Sequence, residues 1–155
     1  MIQILKTLKK QMIEDKQITK NFSLYEFLHS QAASRFKVTE QFEPPQEVVN
    51  NLTNLAANIV QPLRDAIGEP ITVSSGYRCP KVNGLVGGQT KSQHLTGQAV
   101  DLICPGKGNA YLFNKIVELK LPFDQLIWEY GTDKEPAWVH VSFGPRNRRQ
   151  ILTIK

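Results

Sequence analysis

Three side chains in this sequence are of types that bind metal ions and stand where they can converge: His94, Asp101 and His140. His94 leads into Leu95-Thr96-Gly97-Gln98-Ala99-Val100-Asp101, so a loop histidine and a strand carboxylate flank a glycine-containing turn that can bring both back to one point. A neutral imidazole nitrogen and a carboxylate oxygen are both good zinc ligands, and three protein ligands with a fourth position left to water is the catalytic arrangement. Water held that way loses a proton near neutral pH and becomes a nucleophile. A lone histidine and aspartate at this spacing are common by chance. The pattern around His140 strengthens the pair: in Trp138-Val139-His140-Val141-Ser142, strand alternation puts His140 on one face with Trp138 and Ser142, and the valines on the other. The same position would equally suit a histidine that only decorates a half-exposed strand. The remaining histidine, His29, sits apart in an early helical segment.

These residues need a scaffold, and the hydrophobic pattern supplies one. Val48, Leu52, Leu55, Ile59 and Leu63 recur at steps of four and three, which predicts a long amphipathic helix, with Pro62 kinking its last turn and Gly68-Glu69-Pro70 ending it. Ser23-Leu24-Tyr25-Glu26 has the spacing of a capping box and predicts a short helix there. Ile71-Thr-Val-Ser-Ser predicts a strand reaching Arg78, residues 81–93 read as a loop through Asn83-Gly84 and Gly87-Gly88, and Ala99–Ile103 predicts a second strand. A helix over Asn109–Lys120 and strands over Gln125–Tyr130 and Trp138–Phe143 complete the pattern. Helices first, then strands with one helix inserted, predict an α+β domain with a mostly antiparallel sheet packed against helices.

Size and charge bound the function. The 155 residues, 41% of them hydrophobic, suffice for one compact domain over 21–155, preceded by an arm at 1–20 that is polar, charged and weakly helical in pattern. No apolar run is long enough to span a membrane, so a soluble protein is expected. A net charge of +5 suits an anionic partner without choosing one. The most basic stretch, Arg146-Asn147-Arg148-Arg149, lacks the interleaved aromatics of a single-strand nucleic-acid platform and reads as a solvated face, so no nucleic-acid partner is expected. Cys79 and Cys104 leave one disulfide open but form no disulfide framework, and they lack the paired spacing of a structural zinc site.

Four blocks in order carry a resemblance: Ser74-Ser-Gly-Tyr-Arg-Cys-Pro80, Ser92-Gln-His-Leu-Thr-Gly-Gln-Ala-Val-Asp101, Phe123-Asp-Gln-Leu-Ile-Trp-Glu129 and Trp138-Val-His-Val-Ser142. Together they resemble the D-alanyl-D-alanine carboxypeptidase family of zinc peptidases, and more closely the short M15-type peptidases of phages and bacteria, over roughly residues 22–143. The resemblance implies a Hedgehog/DD-peptidase-like fold, Zn²⁺ as cofactor, His94, Asp101 and His140 as its ligands, and a peptide of bacterial peptidoglycan as substrate. It also implies a role for Arg78 near the scissile bond, where a planar guanidinium can hold a carboxylate or polarise a carbonyl. A surface salt bridge is the plainer role for that arginine. Ser92 and Trp138 are the further substrate-side candidates, although Trp128 and Trp138 are also of the type that simply packs.

Several relatives place a glutamate three residues before the last histidine ligand, and here that position is Ala137. The general base must then come from elsewhere, and Glu129 is the candidate, because it ends the strand expected to pair with the one bearing His140. Glu135 is read as a solvated loop residue, and Asp124 as a structural cap or ion pair. The expected reaction is hydrolysis of a stem-peptide bond, either removing a terminal D-alanine or cutting within the peptide. The missing glutamate keeps a second reading open, a non-catalytic zinc-containing wall-binding or phage structural module. The N-terminus lacks the features of a secretory signal, so synthesis in the cytoplasm is expected, with delivery to the wall or periplasm by a route the sequence does not specify, such as a phage holin, or by a signal already removed. A monomer is expected.

Overall fold

The computed structural model describes residues 1–14 and 16–155. The first half is helical: α1 (Ile2–Glu14), α2 (Leu24–Leu28), α3 (Gln31–Arg35), α4 (Gln46–Leu55) and α5 (Gln61–Ile67). The second half builds a sheet from β1 (Thr72–Ser75), β2 (Ala99–Ile103), β3 (Gln125–Glu129), β4 (Trp138–Ser142) and β5 (Gln150–Ile154), with α6 (Pro80–Leu85) and α7 (Asn109–Glu118) inserted. The strands lie in the order β1-β2-β4-β3-β5. All neighbours are antiparallel except β3 and β5, which run parallel. The chain is therefore α+β with a mostly antiparallel sheet, as the sequence pattern predicts.

The capping box starts α2 as expected, with the Ser23 N–H donating to Glu26 Oε2 at 2.7 Å. Between α4 and α5 the helix does not break. Instead it widens into one π-type turn over Ala56–Val60, where the Gln61 N–H donates to the carbonyl of Ala56, five residues back. Pro62 follows at once. A proline in a regular helix crowds the carbonyl four residues back, and the widened turn immediately before it lets the helix run on to Gly68. The apolar stripe of this long helix is fully used: Leu52, Leu55, Ile59 and Leu63 are all completely buried. Each is a side chain whose truncation to alanine costs about 2–5 kcal/mol in a well-packed core.

Strand alternation divides the sheet into two working faces. Val100, Leu102, Leu126, Val139 and Val141 have no exposed surface and share the core with Leu112 and Ile116 of α7 and with the long helix. The intervening residues face the other way. On that face the registers align Ser75 with Asp101, Asp101 with His140, and His140 with Ile127, so one row crosses four strands.

Three expectations need correction. Residues 81–93 are not all loop: Pro80, whose ring presets a helical φ and whose missing N–H is not needed in a first turn, starts α6. Strand β1 stops at Ser75, and the pairing register slips between Val73 and Ser75, a bulge that ends the ladder before Arg78. The C-terminal strand β5 lies beyond the basic run that hid it, on a sheet edge where Ile151 and Ile154 stay exposed and the burial signal is weak. Cys79 and Cys104 are both buried free thiols.

Candidate metal centre

His94, Asp101 and His140 come together. Their ligating atoms all lie within 4.8 Å of one another, and the three residues are 3%, 5% and 9% exposed. Asp101 and His140 face each other directly across β2 and β4, with His140 Nδ1 3.1 Å from Asp101 Oδ1. His94 arrives from outside the sheet. It lies on a single 3₁₀ turn, Gln93–Thr96, whose first residue is capped by Ser92 Oγ accepting from the His94 N–H at 3.2 Å. The turn closes at Gly97 with φ +73°, and a Cβ there would stand 2.8 Å from the Val48 carbonyl oxygen, so both conformation and space require glycine. His94 Nε2 thereby sits 3.3 Å from Asp101 Oδ1.

The protonation of His94 follows from its partner. Its Nδ1 lies 2.7 Å from the carbonyl oxygen of Gly76, which can only accept, so Nδ1 donates there and Nε2 is the nitrogen turned toward Asp101. Gly76 itself is wedged against α2: a Cβ would come within 2.3 Å of the Phe27 carbonyl oxygen. Burial pushes the Asp101 carboxyl up, but hydrogen bonds from His140 and His94 outweigh it and hold the group well below the ordinary carboxylate range. Asp101 is thus an anion at every pH of interest, between two imidazoles. Two nitrogens and a carboxylate oxygen, buried on one side and open to a cleft on the other, fit a zinc ion that keeps a free coordination position.

Arg78 lies beside this group. Its Nη2 donates to Asp101 Oδ2 at 3.3 Å, its Nε to Ser75 Oγ at 3.0 Å, and its Nη1 reaches Asn83 Oδ1 on α6 at 3.5 Å. It is half-buried, which distinguishes it from a solvated surface pair. The backbone around it is fixed by Gln41, a fully buried residue with no signal in the sequence pattern. Gln41 Nε2 donates to the carbonyls of Leu28 and Tyr77 at 2.8 and 2.7 Å, and Oε1 accepts from the Cys79 N–H at 2.8 Å. The backbone is thereby held on both sides of Arg78, at Tyr77 and at Cys79.

Glu129 is on the site face. It is diagonal to His140 across β3 and β4, and Glu129 Oε1 stands 3.7 Å from His140 Nδ1. Its other oxygen accepts from Trp138 Nε1 at 3.1 Å. Burial first, and the negative charge of Asp101 second, push its carboxyl above the ordinary range. The two tryptophans divide their roles. Trp138 borders the cleft and holds Glu129, whereas Trp128 points to the helix side and packs edge-on against Phe113 at 5.4 Å. Ser92 both caps the His94 turn and lines the cleft.

The acidic residues considered as alternatives sit elsewhere. Glu135 is not simply solvated: its Oε1 accepts from the backbone N–H groups of Asn109 and Ala110 and so caps α7 from a distant loop. Asp124 is completely buried and accepts from Arg148 through its backbone N–H, Nε and Nη2 at 2.8–2.9 Å, and from Gln93 Nε2 at 3.0 Å. It therefore ties the turn carrying His94 to the C-terminal segment. The basic run is accordingly only partly a solvated face, since Arg148 is committed to Asp124 and Arg149 lies over the Phe123 ring at 5.1 Å.

An α+β domain with a buried His–Asp–His group, an adjacent carboxylate and an open cleft has the parts that metal-assisted hydrolysis uses. The chain matches the family model described as Peptidase M15 over residues 20–142, and it belongs to that family. No curated protein matches the sequence.

Proposed function

We propose that this chain is a zinc-dependent peptidase that hydrolyses peptide bonds in the stem peptides of bacterial peptidoglycan, acting at the cell wall or periplasm as a monomer on a Hedgehog/DD-peptidase-like fold. One observation carries the reading: the buried His94–Asp101–His140 group opens to a cleft whose wall carries Glu129. When bound there, zinc supplies Lewis acidity, which polarises a carbonyl and lowers the pKa of water. Glu129 accepts the proton of the attacking water and delivers it to the leaving amine, and its raised pKa suits both halves of that task. Trp138 keeps the carboxylate aimed by holding one oxygen. Arg78, braced by Ser75 and Asp101, orients the substrate's carbonyl or carboxylate. Glu129 takes the place of the glutamate that Ala137 replaces, because the register of β3 against β4 brings it to the same histidine.

The test is release of peptide fragments from purified peptidoglycan by the zinc-loaded protein, with elemental analysis in parallel. Activity with about one zinc per chain, both lost in His94→Ala, supports the reading. Wall and zinc binding without any cleavage would replace it with the non-catalytic module.

A further inference from the structure

The metal centre does not lie at the bottom of a closed pocket. Two grooves, of about 690 and 530 Å³, meet over it and share Arg78, Val86 and Trp138 as common walls. Each is in the size range that holds a ligand of several hundred daltons, more than one terminal amino acid. The two arms differ in charge. The larger runs past β1 and α3 and is lined mostly by apolar surface, with His29 and the hydroxyl and amide groups of Ser30, Gln31, Thr72 and Ser74 among it, and with Arg78 and Asp101 offsetting each other where the arms meet. The smaller arm carries Lys91, Arg146 and Arg148, and among the described residues Glu129 is the only carboxylate along it. Arg148 is committed to Asp124, whereas Lys91 and Arg146 are exposed and form no ion pair with any described residue.

A cleft lined by charges of one sign concentrates its field on a ligand of the other. We propose, building on the peptidase reading, that the substrate runs through both arms, so that the bond cut is internal to the peptide. In this arrangement Lys91 and Arg146 form a subsite for a carboxylate-bearing segment on one side of that bond, and the opposite arm takes an uncharged segment. The segment's carboxylate is either a side-chain group or a free chain terminus, and both present the same anion to the arm.

The experiment measures binding by fluorescence anisotropy, with the full-length zinc-loaded protein and labelled stem-peptide analogues that carry a non-hydrolysable isostere at the candidate bond, cleavage being assayed separately on purified peptidoglycan. Three analogues extend on both sides of the candidate bond: one with a side-chain carboxylate, one with only a terminal carboxylate, and one with both amidated. A fourth ends at the bond. Either carboxylate peptide is expected to bind roughly fivefold to tenfold more tightly than the amidated one, the scale of one or two rim charge pairs. Comparing the first two identifies which carboxylate is read. The double variant Lys91→Glu/Arg146→Glu is expected to bring that ratio to one or below while zinc content stays the same. The truncated peptide is expected to bind more weakly than the extended ones. Equal affinity for carboxylate and amidated peptides, or a ratio unchanged in the double variant, would overturn the anion subsite. Full affinity in the truncated peptide would overturn the through-running groove. Because affinity is read without turnover, a protein that discriminates these peptides yet cuts no peptidoglycan would defeat the peptidase reading and leave the subsite standing.

Discussion

At the residue scale, the site divides labour among side chains whose surroundings set their chemistry. Asp101 lies between two imidazoles and an arginine and stays ionised, whereas Glu129, on the same face, is pushed the other way by burial and by Asp101 itself. Two carboxylates with pKa values moved apart are what a ligand and a proton carrier require. Glu129→Gln preserves shape and the Trp138 contact but removes the proton acceptor. We expect kcat on a cleavable stem peptide to fall by roughly 10²–10⁴-fold while zinc content is retained. Retained kcat would assign the base elsewhere. Gln41 is the complementary case, a residue far from the chemistry that fixes Arg78's backbone. Gln41→Leu strands two carbonyls and one N–H in the core, at a cost on the order of 3 kcal/mol, read as a lowered urea midpoint with an unchanged slope.

At the element scale, the clustering of His94, Asp101 and His140 was legible because two of their elements carry strong patterns. Strand alternation in Trp138–Ser142 put His140 on the polar face, and the sheet places it there, opposite Asp101. Pairing of β3 with β4 was likewise readable, and it brings Glu129 to His140. What escaped were features set by tertiary contact. Gln41 lies in an unpatterned stretch, α6 is a short helix inside a glycine-rich segment, and β5 is an exposed edge strand behind charged residues. The link from Asp124 to Arg148 and Gln93 joins positions that nothing local connects. That link makes a pH prediction. The hydrogen bond from Arg148, with support from Gln93, holds the Asp124 carboxyl well below the ordinary range although burial opposes it. Its stabilising contribution is whole above about pH 4, where the unfolded chain's aspartate is also ionised, and is lost as pH falls toward the folded value. Asp124→Asn should lower Tm by roughly 5 °C at pH 7. The difference from wild type should narrow below pH 4, which thermal melts across pH would show. A constant difference would mean that the carboxyl's charge is not what stabilises.

At the scale of the whole molecule, the candidate metal centre joins parts that the chain otherwise connects loosely. Asp101 and His140 belong to adjacent central strands, but His94 stands on a separate turn held by Gly76 on one side and, through Gln93, by Asp124 on the other. The helical half touches the same turn where Gly97 meets Val48 and where the Asn51 side-chain amide donates to the Thr96 carbonyl at 2.8 Å. An ion that binds all three ligands therefore bridges the helical layer and the sheet. It exists only in the folded state, so its binding energy adds to folding stability. At a free zinc concentration about 100 times the dissociation constant, the added stability is about 2.7 kcal/mol. For a chain of this size that corresponds to a rise in Tm on the order of 5–10 °C. The shift should vanish in His94→Ala and in His140→Ala, and chelation should reverse it in the wild type. A melting temperature indifferent to zinc at pH 7.5, with ligand variants melting like the wild type, would show that this buried His–Asp–His group does not hold the ion and would remove the basis for the peptidase mechanism.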